Sequence, residues 1–111
     1  MIETVTTEPP VTIAPDVPAL LKERNAESEF PELLALIRKC FPQTLSLEVY
    51  LQDDWAEPTS IRVVIETFLA STAGDDERVR QQWREFDQQL IPLVPLDHLL
   101  LFLVLPRYIA R

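Results

Sequence analysis

A single glycine, Gly74, stands in a chain of 111 residues. That scarcity removes most phosphate loops, dinucleotide fingerprints and glycine-built nucleophile elbows. Each of those needs backbone that closely approaches a ligand or turns through positive φ. What remains is a chain organised by hydrophobic periodicity and punctuated by 10 prolines.

The length argues for one domain, and a folded chain of this size buries about two thirds of its surface, enough for one core without disulfides or metals. Hydrophobic residues make up 47% and charged residues 25%, an ordinary globular balance. Acids outnumber bases 18 to 10, for a net charge of −8, so the chain repels nucleic acid and anionic lipid. Cys40 is the one cysteine, which excludes an internal disulfide and a Cys-rich zinc site. The reducing cytoplasm is the compartment this implies. Residues 1–10 carry no basic stretch followed by an apolar one, so they do not read as a signal peptide. The longest apolar run, Leu99–Pro106, has 8 residues, far short of the ~20 that span a bilayer.

Residues 1–15 hold three prolines and four threonines and read as a flexible N-terminal arm, with Ile2, Val5, Val11 and Ile13 able to pair part of it as an edge strand. A single domain is expected over residues 16–111. Asp16 is placed to cap a helix over Val17–Asn25, and Ser28 a helix over Glu29–Phe41. In the second, Phe30, Leu33, Leu34, Ile37 and Phe41 follow helical spacing, and Pro42 ends it. Leu45–Gln52 and Ile61–Leu69 then alternate, as half-buried strands do, and pair most simply as antiparallel neighbours across a loop, Asp53–Ser60. Ser71–Gly74 reads as a turn. Asp75, Asp76 and Glu77 open a helix running to about Ile91, with a stripe of Val79, Trp83, Phe86 and Leu90, and Pro92 and Pro95 end it. Leu99–Leu105, apolar on both faces, reads as a last strand. The expected fold is α+β, in the order α-α-β-β-α-β, a three-stranded antiparallel sheet with helices on one face.

Such a sheet has a second face. Alternation assigns to it Glu48, Tyr50, Arg62, Val64, Glu66 and Phe68, with Leu100, Phe102 and Val104 from the last strand. Its centre is apolar, and monomers rarely leave such a patch in water. A second copy of the chain, a different protein, or the N-terminal arm would cover it. Tyr50, Val64, Phe68, Leu100 and Phe102 are therefore interaction candidates, together with Trp55, which stands among acids in the loop.

The inventory for catalysis is thin. His98, the only histidine, pairs on paper with Cys40 as base and nucleophile, but Cys40 lies on the core stripe of its helix, and a buried cysteine is an inert hydrophobe. Asp53, Asp54 and Glu57 form an acidic loop, which either solvates a turn or holds a hard cation. Glu48 and Glu66 share a face, where they form ion pairs with Arg62 or act as paired carboxylates in acid–base work. No cofactor is implied. Residues 42–74 carry five acids against one base, so a charged partner at the hairpin is basic.

The segments Leu45-Ser46-Leu47-Glu48-Val49-Tyr50 with Asp53-Asp54, Arg62-Val63-Val64-Ile65-Glu66-Thr67, and Asp76-Glu77 opening a helix with Trp83 and Phe86 carry a resemblance. Over about residues 30–105 the layout resembles small uncharacterised bacterial α+β proteins of the kind encoded beside toxin–antitoxin-type partners. The resemblance implies an accessory or antitoxin-like binding role without catalysis. The sequence thus points to a cytosolic interaction module, homodimeric through its second sheet face. A metal-dependent or carboxylate-based enzyme and a carrier with an apolar pocket between helices and sheet are the alternatives.

Overall fold

The computed structural model describes residues 10–54, 57–69, 72–99 and 101–110, the side chains of residues 53, 54, 57 and 58 excepted. In chain order the elements are β1 (Val11–Ile13), α1 (Val17–Glu23), α2 (Glu29–Cys40), β2 (Ser46–Asp54), β3 (Glu57–Phe68), α3 (Ala73–Leu93), α4 (Leu96–Leu99) and β4 (Phe102–Ile109). The class is α+β. The sheet has four strands in the order β1-β2-β3-β4, and it is mixed: β1 runs parallel to β2, β2 antiparallel to β3, and β3 parallel to β4.

Two differences from the expected three-stranded antiparallel sheet have plain causes. First, Val11–Ile13, inside the proline- and threonine-rich start, adds an edge strand; Leu47 N–H donates to Pro10 C=O and Ala14 N–H to Val49 C=O. Second, α3 has 21 residues, and at ~1.5 Å per residue it spans about 31 Å. That is most of the length of the 12-residue β3 at ~3.3 Å per residue. The helix therefore carries the chain back to the end where β3 began, and the next strand must run parallel to β3.

The hairpin is also tighter than expected. The strands continue through the acidic segment until Asp54 pairs with Glu57, with a register shift between Gln52 and Asp54. Two residues separate that last pair, instead of an eight-residue loop. Asp and Pro58 mask the strand, but an irregular register at the ladder's end tolerates both.

Helix ends show how the chain manages with one glycine. After α1, Asn25 adopts φ 56°, Ala26 N–H donates to Leu21 C=O, and Asn25 N–H donates to Lys22 C=O. This is a Schellman closure with Asn in the left-handed position that glycine usually fills. The expected caps differ: neither Asp16 nor Ser28 makes a side-chain capping bond. Thr72 caps α3 instead, its hydroxyl accepting from Asp75 N–H at 3.0 Å, so the helix starts where a turn was expected. Pro92 lies within the last turn of α3, which ends one residue later.

The core lies between the helices and one face of the sheet. Val17 and Leu21 from α1, and Phe30, Leu33, Leu34 and Ile37 from α2, meet Leu47, Val49, Ile61, Val63 and Ile65 from the sheet. An aromatic cluster fastens α3: the ring of Phe41 lies 4.7 Å from Trp83 and 5.6 Å from Phe86.

Candidate interaction surface

β2 and β3 present their side chains as alternation requires. Leu47, Val49, Ile61, Val63 and Ile65 point to the helices and are almost fully buried. Their neighbours Ser46, Glu48, Tyr50, Arg62, Val64, Glu66 and Phe68 take the other side. β4 has the opposite phase from the expectation. Phe102 pairs with Ile61 and Val104 with Val63, which places both on the helix side. Phe102 is 5% exposed and stacks on Phe30 with ring centres 6.3 Å apart. Phe102 is therefore a core residue and not an interaction candidate, and Val104 packs against the same core. A strand apolar on both faces carries no phase in its sequence. Here the Phe30–Phe102 stack goes with even-numbered residues inward. The open face receives Leu103, Leu105, Arg107 and Ile109 instead.

The register arranges this face in rows. Tyr50, Arg62 and Leu103 form one row; Thr12, Glu48, Val64 and Leu105 the next; then Ser46, Glu66 and Arg107; then Phe68 and Ile109. Val64 is central and 6% exposed although no helix of the described residues lies over it. Glu48 and Leu105 flank it in the register. Arg107 reaches Glu48 at 3.4 Å and Glu66 at 3.6 Å, so its guanidinium passes diagonally over the Val64 row. Ser46 Oγ donates to Glu66 Oε1 at 3.5 Å. Leu103 and Phe68 are each 39% exposed. An apolar middle inside a polar rim is the anatomy of a protein–protein interface.

Arg62 was expected to neutralise Glu48 and Glu66. Arg107 takes that role, and the Nε of Arg62 is buried with no hydrogen-bond partner among the described residues. Leu103 and Leu105 belong to the expected strand but in the opposite phase, and Arg107 and Ile109 lie beyond Pro106, which reads as a strand terminator. An edge strand accepts proline, and that rule was the available signal. Trp55 and Leu100 lie outside the described residues, as do the side chains of Asp53, Asp54 and Glu57.

His98 has a partner that sequence reasoning missed. It sits in α4, and its Nδ1 lies 2.9 Å from Glu29 Oε1, with the two side chains 18% and 11% exposed. The pair ties the start of α2 to the turn before β4. Cys40 is buried, which pushes its thiol above its ordinary pKa; Lys39 draws it down and Glu85 adds to the rise. Gln89 is the polar group beside it, at 3.9 Å. Cys40 and His98 are not brought together as a nucleophile and base: His98 is engaged by Glu29. Among the described residues no three His, Cys, Asp or Glu side chains gather to hold a metal ion, and no helix is long and apolar enough to cross a membrane. Among the described residues a small cleft between α3 and the sheet is lined by Phe41, Thr67, Val79, Trp83, Pro106 and Tyr108.

No protein-family model, curated protein or solved structure matches the chain.

Proposed function

We propose that this protein is a non-enzymatic interaction module of the cytosol, accessory or antitoxin-like in role, that binds protein through the open face of its sheet. One observation carries the reading: Val64, Leu103, Leu105, Phe68 and Ile109 form an apolar centre, framed by charged residues, on a face that no helix of the described residues covers. An apolar surface of this kind on a small domain gains free energy when a partner removes it from water.

The test is cross-linking in the cell of origin with the wild-type chain and Leu103→Glu, followed by identification of what is attached. Arg84→Glu on the exposed side of α3 serves as control. The reading expects attachment to a defined protein, a second copy included, that Leu103→Glu removes and Arg84→Glu leaves. Attachment indifferent to Leu103→Glu would refute it.

A further inference from the structure

Among the described side chains the open face carries two carboxylates, Glu48 and Glu66, and two guanidiniums, Arg62 and Arg107, on a chain whose net charge is −8. These four balance. A basic partner would find its attraction elsewhere on the molecule. A surface with equal numbers of both signs suits a copy of itself, because a two-fold interface sets each patch against the same patch.

The sheet edges favour the same route. β1 offers three residues. On β4, Leu101 C=O accepts from Ile61 N–H and Ile109 C=O from Leu69 N–H, so odd-numbered residues turn their backbone groups to β3. Even-numbered residues then face outward along the free edge. Pro106 occupies one of those positions and has no N–H to offer. A continuous sheet built across two copies would be interrupted there, which is how edge strands avoid pairing. Association therefore takes place face to face.

Resting on the interaction-module reading above, we infer that the occupant of the open face is a second copy of this chain, packed about a two-fold axis that crosses β3 at Val64 with the strands of the two copies antiparallel. That axis exchanges positions 62 and 66. It sets the guanidinium of Arg62, whose Nε is buried with no hydrogen-bond partner among the described residues, over Glu66 of the second copy, twice by symmetry. That axis also brings Glu48 over its own symmetry mate, each carboxylate being paired with Arg107 of its own chain; an axis along β3 would instead set Arg62 against Arg62 and Glu66 against Glu66, two like-charge contacts. Four rows at ~6.6 Å spacing across four strands ~4.8 Å apart give roughly 500 Å² per copy, or about 1,000 Å² in all, the lower bound of specific interfaces. The dimer is accordingly expected to dissociate in the micromolar range, at the weak end for a specific pair.

Sedimentation equilibrium from about 1 to 500 µM reads this directly, in the concentration range where such an interface is half occupied. The expected result is a mass rising from 12.8 kDa towards twice that value. Leu103→Glu, Arg62→Glu and Glu66→Arg should each raise the dissociation constant at least about tenfold while far-ultraviolet dichroism stays native. In an equimolar mixture of Arg62→Glu and Glu66→Arg the mixed dimer regains opposite charges at both exchanged contacts, so the mixture should associate more tightly than either variant alone. A monomer throughout overturns the inference, and so does a dimer indifferent to Leu103→Glu. Failure of the mixture to recover overturns the antiparallel arrangement. If the chain is monomeric but cross-linking attaches another protein that Leu103→Glu releases, the module reading stands and the second copy falls. If neither is seen, both fall.

Discussion

The two faces of this sheet are made from the same strands, one residue apart, and they do different things. Val63 points to the helices, is fully buried, and sits among Val49, Val104 and the side chains of α2. Val64 points the other way and is nearly as buried, yet its register neighbours are Glu48 and Leu105, and the Arg107 guanidinium stands between the carboxylates of Glu48 and Glu66 on the same face. The inward face is close-packed hydrocarbon, where each methyl group has neighbours on every side. The outward face is a thin cover of long side chains that can be moved aside. Burial alone does not mark a core: what does the burying decides whether a surface is finished or ready for a partner.

That contrast can be broken or sharpened by substitution. The largest effect belongs to the covered side. Phe41→Ala removes the ring held between Trp83 and Phe86 and should lower stability by about 3–5 kcal/mol, read by urea denaturation. Next is the buried Glu29–His98 contact. His98→Ala leaves Glu29 nine-tenths buried without its partner and should cost about 2–3 kcal/mol. The adjacent valines give the sharpest comparison: Val63→Ala should cost about 2 kcal/mol and Val64→Ala about 1, since the charged stems around Val64 can settle into the space left. Equal losses would mean that the open face is as rigidly packed as the core. The smallest effect is that of Arg107→Ala. Its pairs are half-exposed, so the loss should be no more than about 1 kcal/mol at low salt and should fade in 1 M salt. A thermal melt at two salt concentrations checks it.

Helical stripes and strand alternation were readable because each is a periodic signal produced by one buried face. Leu33, Leu34 and Ile37 on α2, Val79 with Trp83 and Phe86 on α3, and the alternating residues of β2 and β3 lie where their spacing puts them. The last strand was legible as a strand and illegible in phase. Leu101 to Leu105 is apolar at every position, so nothing in the run distinguishes inside from outside, and only the Phe30–Phe102 stack does. Its direction depended on the length of α3, which outran the Pro92 stop by one residue and returned the chain to the start of β3. The open face was legible on β2 and β3 and wrong on β4, where Phe102 gave way to Leu103, Leu105 and Arg107. The Glu29–His98 pair joins residues 69 positions apart and carries no local pattern that a sequence could display.

The most direct test of the account is a comparison of backbone amide NMR spectra of the wild-type chain at about 10 and about 500 µM, a range that brackets a micromolar dissociation constant. The account predicts concentration-dependent shifts at Glu48, Arg62, Val64, Glu66, Leu103, Leu105 and Arg107, with α2 and α3 unmoved. Spectra that superimpose at both concentrations, or shifts gathered on the helices, would contradict it.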